Sequence, residues 1–166
     1  MTMKKILPIL LLIAGLLTVG NPMDAKTNKK KSKKKSVPVS VIGKFPRYGD
    51  TINLFSNGKA ESQDKCTTGV YKIPKGGYYK VEMYALPQCG DGEFLFLIVD
   101  DSVYEIGAGS AGTITNCSYN PENKMITITE IDGGPVTPEE LEYAGFSSKR
   151  VPLSEFEKLG EVTWTK

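Results

Sequence analysis

Histidine is absent from this 166-residue chain, tryptophan occurs once and cysteine three times. Without histidine the commonest general base is missing, and with it the Ser-His and Cys-His nucleophile pairs and every histidine-bearing zinc set. None of the cysteines, Cys66, Cys89 and Cys117, falls in a Cys-x-x-Cys spacing, and an odd number leaves at least one unpaired within a monomer. A long hydrophobic run is also lacking. The longest, Ile6 to Val19, has 14 residues; as a helix it would reach about 21 Å, short of the ~30 Å hydrocarbon core of a bilayer.

That run follows Lys4 and Lys5 and is closed by Gly20, Asn21 and Pro22, the three-part pattern of a secretory signal, so residues 1–25 are expected to direct export. Periplasmic or secreted location follows as an expectation. Flank charge argues the other way. Seven lysines between Lys26 and Lys35 against two upstream would hold an uncut segment as a membrane anchor with a cytosolic body.

Residues 26–36, "KTNKKKSKKKS", read as a disordered lysine-rich linker, because like charges repel and keep a segment extended. Lys29, Lys30, Lys31, Lys33, Lys34 and Lys35 are the candidates for attraction to an anionic membrane or envelope surface, at roughly 1 kcal/mol per lysine. Nucleic acid is not the expected partner. Residues 37–166 carry 12 basic and 18 acidic side chains, so the body behind the arm is net −6 and offers no basic face to extend it.

The body reads as one β-rich domain. "VPVSVI" (37–42) predicts a first strand, and 43–65 predicts loops with a short strand near Ile52 to Phe55. "TTGVYKI" and "YYKVEMYA" flank "PKGG" as a hairpin. The unbroken apolar run of "EFLFLIVD" predicts a strand covered on both faces, Asp100-Asp101 a tight turn, "SVYEIG" the next strand, and "NPEN" the turn of another hairpin ending in Met125 to Ile131. The expected fold is mainly β, an antiparallel β-meander forming a small sandwich or barrel, with one or two short C-terminal helices. The first helix should start at Thr137, whose hydroxyl and Glu140 make a capping box around Pro138. The second is read from Leu153, Phe156 and Leu159, and "EVTWT" as a last strand.

Candidate chemistry is sparse. The proposed hairpin brings residue 66 near residue 85, which makes Cys66 and Cys89 the expected disulfide. Cys89 within "PQCGDG" resembles a reactive-cysteine loop, but no histidine is present to lower its pKa. Asp91 with Glu93, and Asp100 with Asp101, do not follow a calcium-loop pattern. "GAGSAGT" (107–113) lacks the Gly-Lys-Ser/Thr ending of a phosphate loop. Asn116-Cys117-Ser118 fits an N-glycosylation acceptor, and Asp50-Thr51-Ile52 and Asp101-Ser102-Val103 an O-glycosylation pattern. No cofactor, metal or catalytic residue is expected. The sequence points to a small exported, non-enzymatic binding or envelope-associated module; the alternative is a cysteine- or carboxylate-dependent hydrolase acting outside the cytoplasm.

Overall fold

The computed structural model describes residues 36–166; the expected signal segment, and the arm up to Lys35, lie outside the described residues. Strands make up just over half of the described chain, and every pairing among them is antiparallel. Seven strands follow one another as a meander: β1 (Val41–Arg47), β2 (Asp50–Phe55), β3 (Lys59–Ser62), β4 (Thr67–Lys72), β5 (Tyr79–Ala85), β6 (Glu93–Val99) and β7 (Ser102–Gly109). Each pairs with the next. Two-residue connections at Tyr48-Gly49 and Asp100-Asp101 have positive φ at both positions, the mirror-image turn whose twist suits a hairpin.

The meander curls into a nearly closed barrel. Near the C-terminus, β12 (Glu157–Glu161) pairs with β7 at one end of the sheet, and β13 (Thr163–Trp164) pairs with β1 at the other. Only Val162 separates those two strands, so the chain itself steps across the seam. Its amide donates to the Asp101 carbonyl at 2.8 Å, and the Trp164 indole donates to the Asp101 carboxylate at 2.8 Å. The barrel is filled by side chains rather than hollow: Phe45, Ile52, Leu54, Val81, Phe96 and Ile98 meet inside it. Phe45 and Phe96 stack edge to face with centroids 5.4 Å apart.

A second, smaller sheet lies against the outside. It holds β8 (Ile114–Asn120), β9 (Met125–Ile131), β10 (Gly134–Pro135) and β11 (Arg150–Pro152), with β9 pairing all three others. Its apolar face meets the outward residues of β6 and β7. The run on β6 is therefore divided between two cores, Phe96 and Ile98 pointing into the barrel and Leu95 and Leu97 into the layer beneath the second sheet. Gly107 permits that approach, because a Cβ there would run into the Ile114 carbonyl.

Several expectations are corrected. The first strand starts at Val41 instead of Val37, since Val37 and Val39 remain 84% and 57% exposed with nothing to pack on, and Phe45 supplies the anchor. Within 43–65 the short strand expected near Ile52 to Phe55 is present as β2, while the parts expected as loops hold most of β1 and all of β3. The turn residues there punctuate very short strands. Pro46 stands opposite Thr51, one position from the hairpin turn, where a strand amide would point away from β2.

The capped helix is present as α1 (Pro138–Tyr143), with both reciprocal bonds of the Thr137–Glu140 box formed. The second helix is not. Leu153–Glu155 makes one 3₁₀ turn and the chain continues as β12. The three-residue spacing arose because Leu153 and Phe156 enter the outer core while Leu159, bulged between Lys158 and Gly160, packs toward the barrel interior. Of "EVTWT", Glu161 ends β12 and only Thr163 and Trp164 form the last strand.

Candidate functional site: an outer-wall groove

Antiparallel register dictates which side chains share the outside of the barrel. Tyr84 on β5 stands opposite Thr68 on β4 and Glu93 on β6. One step along, Val70 on β4 stands opposite Lys59 on β3 and Glu82 on β5. Directly opposed residues have Cβ atoms about 4.5–5.5 Å apart, so these form two parallel rows on one wall. Val70 and Tyr84 are 43% and 53% exposed, unusual for an aliphatic and an aromatic side chain side by side on a sheet.

The second sheet supplies the remaining side of the groove. Thr115 and Asn116 on β8, and Glu130 opposite Asn116 on β9, border the same space, a groove of about 490 Å³. Gly69, between Thr68 and Val70, lies in its floor; a Cβ there would strike the Glu82 carbonyl, so β4 can press against β5 only because this residue is glycine. Among the polar groups in and beside the groove, Glu82 is flanked by two lysines. Lys72 and Lys80 reach the two oxygens of Glu82 at 3.0 and 3.4 Å, and Lys80 also donates to the Asn116 amide oxygen at 2.6 Å. That bond leaves the Asn116 amide nitrogen as a donor. The formal charges cancel, with Glu82, Glu93 and Glu130 set against Lys59, Lys72 and Lys80.

Cys66 and Cys89 stand at disulfide distance, with Cα atoms 5.5 Å apart. Cys66 follows the β3–β4 turn, and Cys89 ends a 3₁₀ turn, Pro87–Cys89, on the β5–β6 connection. Backbone bonds bring them together: the Leu86 amide donates to the Cys66 carbonyl, and the Cys89 amide to the Leu86 carbonyl, both at 2.8 Å. Cys117 is buried in the outer core, and burial pushes its thiol up to about 12. The lysine candidates, Lys29 to Lys35, lie outside the described residues.

A polar cluster that the sequence reading missed closes the barrel end near these cysteines. The Arg47 guanidinium lies 3.9 Å from the Phe94 ring centroid and its Nε is 3.8 Å from Glu105, while neither Arg47 Nε nor Glu105 Oε2 has a hydrogen-bond partner. The Tyr48 hydroxyl is 2.9 Å from both Glu105 and Glu157, two residues directly opposite each other on β7 and β12. A phenol has one proton, so it donates to one carboxylate at a time. Although Tyr48 is 63% exposed, desolvation of its hydroxyl, and then those two acids, hold its pKa above the ordinary tyrosine value. This cluster clasps the seam. Arg47 ends β1, and nothing in its local sequence singles it out. Asp64, beside it, is held below the usual carboxylate range by the Ser62 hydroxyl and the Cys66 amide.

Asp91, Glu93 and Asp132 border a second cleft of about 290 Å³, but no metal-holding group of three such residues occurs among the described residues. There the Asp132 carboxylate is already bonded to the Gly112 and Thr113 amides at 2.8 Å each. No family model, curated protein or solved structure matches the chain.

Proposed function

We propose that this chain is a small exported, non-enzymatic binding module that holds its partner on the outer wall of the barrel. The observation that carries the reading is the contrast between the two faces of one wall: the inside is occupied by Phe45, Phe96 and their neighbours, and the outside leaves Tyr84 and Val70 exposed in a groove. A groove of that size falls within the ~300–1,000 Å³ of ordinary ligand sites. A thiol hydrolase finds no support, since Cys66 and Cys89 face each other at bonding distance and Cys117 is buried. The lysine arm adds a separate, sequence-based element, attraction to an anionic envelope surface, whose vesicle binding should weaken steeply with salt and vanish when residues 29–35 are deleted.

The test is photocross-linking in the producing cell, with a photoreactive residue at Thr68 in the groove and, as control, at Glu122 in the β8–β9 turn. Adducts from position 68 and not from 122 are expected. Equal labelling from both, or none from position 68, overturns the groove as the binding site. Intact mass of the exported protein checks the location, because retention of residues 1–25 would refute export by a cleaved signal.

A further inference from the structure

We propose that the groove takes an uncharged oligosaccharide, an inference that rests on the binding reading above and names its ligand class. Sugar rings present an apolar C–H face and a rim of hydroxyls that both donate and accept. The Thr68–Tyr84–Glu93 row matches that pattern: an exposed aromatic ring has a hydroxyl on one side and a carboxylate on the other, each one strand away. A sugar lying over Tyr84 would direct hydroxyls to both neighbours. The second row and the β8 border repeat the mixture, with Val70 between Lys59 and Glu82, and Asn116 beside Glu130.

Net charge disfavours ionic ligands. Glu82 is held by Lys72 and Lys80, and with Lys59, Glu93 and Glu130, which line the same groove without an ion pair among them, the formal charges in and beside it sum to zero. A groove for a polycation would need an uncompensated acidic lining, and one for an anionic polymer an uncompensated basic lining. This one instead supplies donors from Lys59 and the Asn116 amide nitrogen, and acceptors from Glu93, Glu130 and the single Thr68 hydroxyl, whose own proton points to the Ala60 carbonyl at 3.5 Å. The aromatic ring provides the apolar contact area, and the polar groups fix orientation, the division of labour expected of a small-molecule site.

The experiment is calorimetric titration of the mature full chain with three uncharged hexasaccharides, β-1,4-linked N-acetylglucosamine, β-1,4-linked glucose and α-1,4-linked glucose, and with an anionic hexagalacturonate. Saturable binding of at least one uncharged hexamer is expected, with little dependence on salt. Tyr84→Ala should weaken it at least tenfold and Glu93→Gln severalfold, whereas Tyr143→Ala, on exposed α1, should leave it unchanged. Tyr84 is surface-exposed, so its loss should not unfold the chain, and circular dichroism verifies that. Absence of binding by all three at millimolar concentration, indifference to Tyr84→Ala, or preference for the anionic hexamer each overturns the proposal. If the hexamers fail while position 68 still gives adducts in the cell, the glycan inference falls and the binding reading stands; if both fail, both fall. Release of reducing ends from a bound hexamer would instead refute the non-enzymatic reading.

Discussion

Replacing Cys66 and Cys89 together by serine should lower stability by about 3 kcal/mol. A link between them spans a sequence separation of 23, and the chain-entropy relation for a loop of that size gives roughly 11.4 cal/mol/K, about 3.4 kcal/mol at 25 °C. The native state should change little on substitution. Cys89 is exposed, and the contacts that fix the Cys66 turn are made by its backbone: its amide donates to the Asp64 carboxylate at 2.8 Å and its carbonyl accepts from Leu86. The effect therefore acts through the unfolded chain, which the link keeps compact. For a domain of this size, roughly 3–5 °C in Tm per kcal/mol implies a drop of about 10–15 °C. Thermal melts followed by circular dichroism, with and without a thiol reductant, measure it directly. In the oxidised protein one thiol, Cys117, should titrate, and only after denaturation; in the reduced protein three should. Equal melting temperatures in the two states, or three reactive thiols in protein purified from an oxidising compartment, would refute the reasoning.

Trp164→Ala should cost about 2 kcal/mol, below the ~3–5 kcal/mol of a fully buried Trp→Ala change, by removing the Asp101 bond and the Tyr79 contact at 5.1 Å that hold β13 across the seam; urea unfolding followed by circular dichroism reads it, the variant having lost the only tryptophan. Tyr48→Phe should cost about 1 kcal/mol for the lost hydrogen bond, and an unchanged urea midpoint would show that the clasp contributes nothing. Cys117 makes stability fall at high pH. Its folded pKa of about 12 exceeds the ordinary 9.0, so the contribution is complete below pH 9 and declines by about 1.4 kcal/mol per unit above it until about pH 12. Cys117→Ala should make that decline shallower between pH 9 and 10, where ordinary tyrosines, centred at 10.0, are only beginning to ionise; an identical slope in the variant would sink the assignment.

The middle of the fold was readable because local and global signals agree there. β4 to β9 carry long enough apolar or alternating runs, and Asp100-Asp101 and "NPEN" sit where the chain turns. The first third was readable only in part: the strand near Ile52 to Phe55 is present as β2, but β3 and most of β1 were not distinguishable from loops. β2 and β3 have six and four residues, and a strand that short offers only two or three inward positions, Ile52 and Leu54 in one and Ala60 and Ser62 in the other. Periodicity over so few residues is indistinguishable from a polar loop with scattered hydrophobes. Curvature supplies the rest: the barrel brings β1 and β13 together across more than a hundred residues, a contact that rewards burial of Phe45 and Val162 only after closure.

The groove was hidden for a related reason. Tyr71, Tyr78, Tyr79, Tyr84 and Tyr104 look alike in the sequence, all tyrosines in segments that read as strands. Their separation depends on register and on where the second sheet ends. Tyr78 is buried against Tyr119, Tyr71 and Tyr79 pack at the barrel core, and Tyr104 lies under the second sheet. Tyr84 alone among them falls beyond the edge of β8, on a wall that no other layer covers, and so keeps half of its surface. The same edge decides the role of Asn116. As an Asn-x-Ser acceptor it would have to present its amide outward, whereas here it is half-buried and its oxygen is held by Lys80. A β8 longer or shifted by one strand would have covered Tyr84 and erased the groove, so the candidate site is a property of how far the second sheet extends, not of any motif within a single segment.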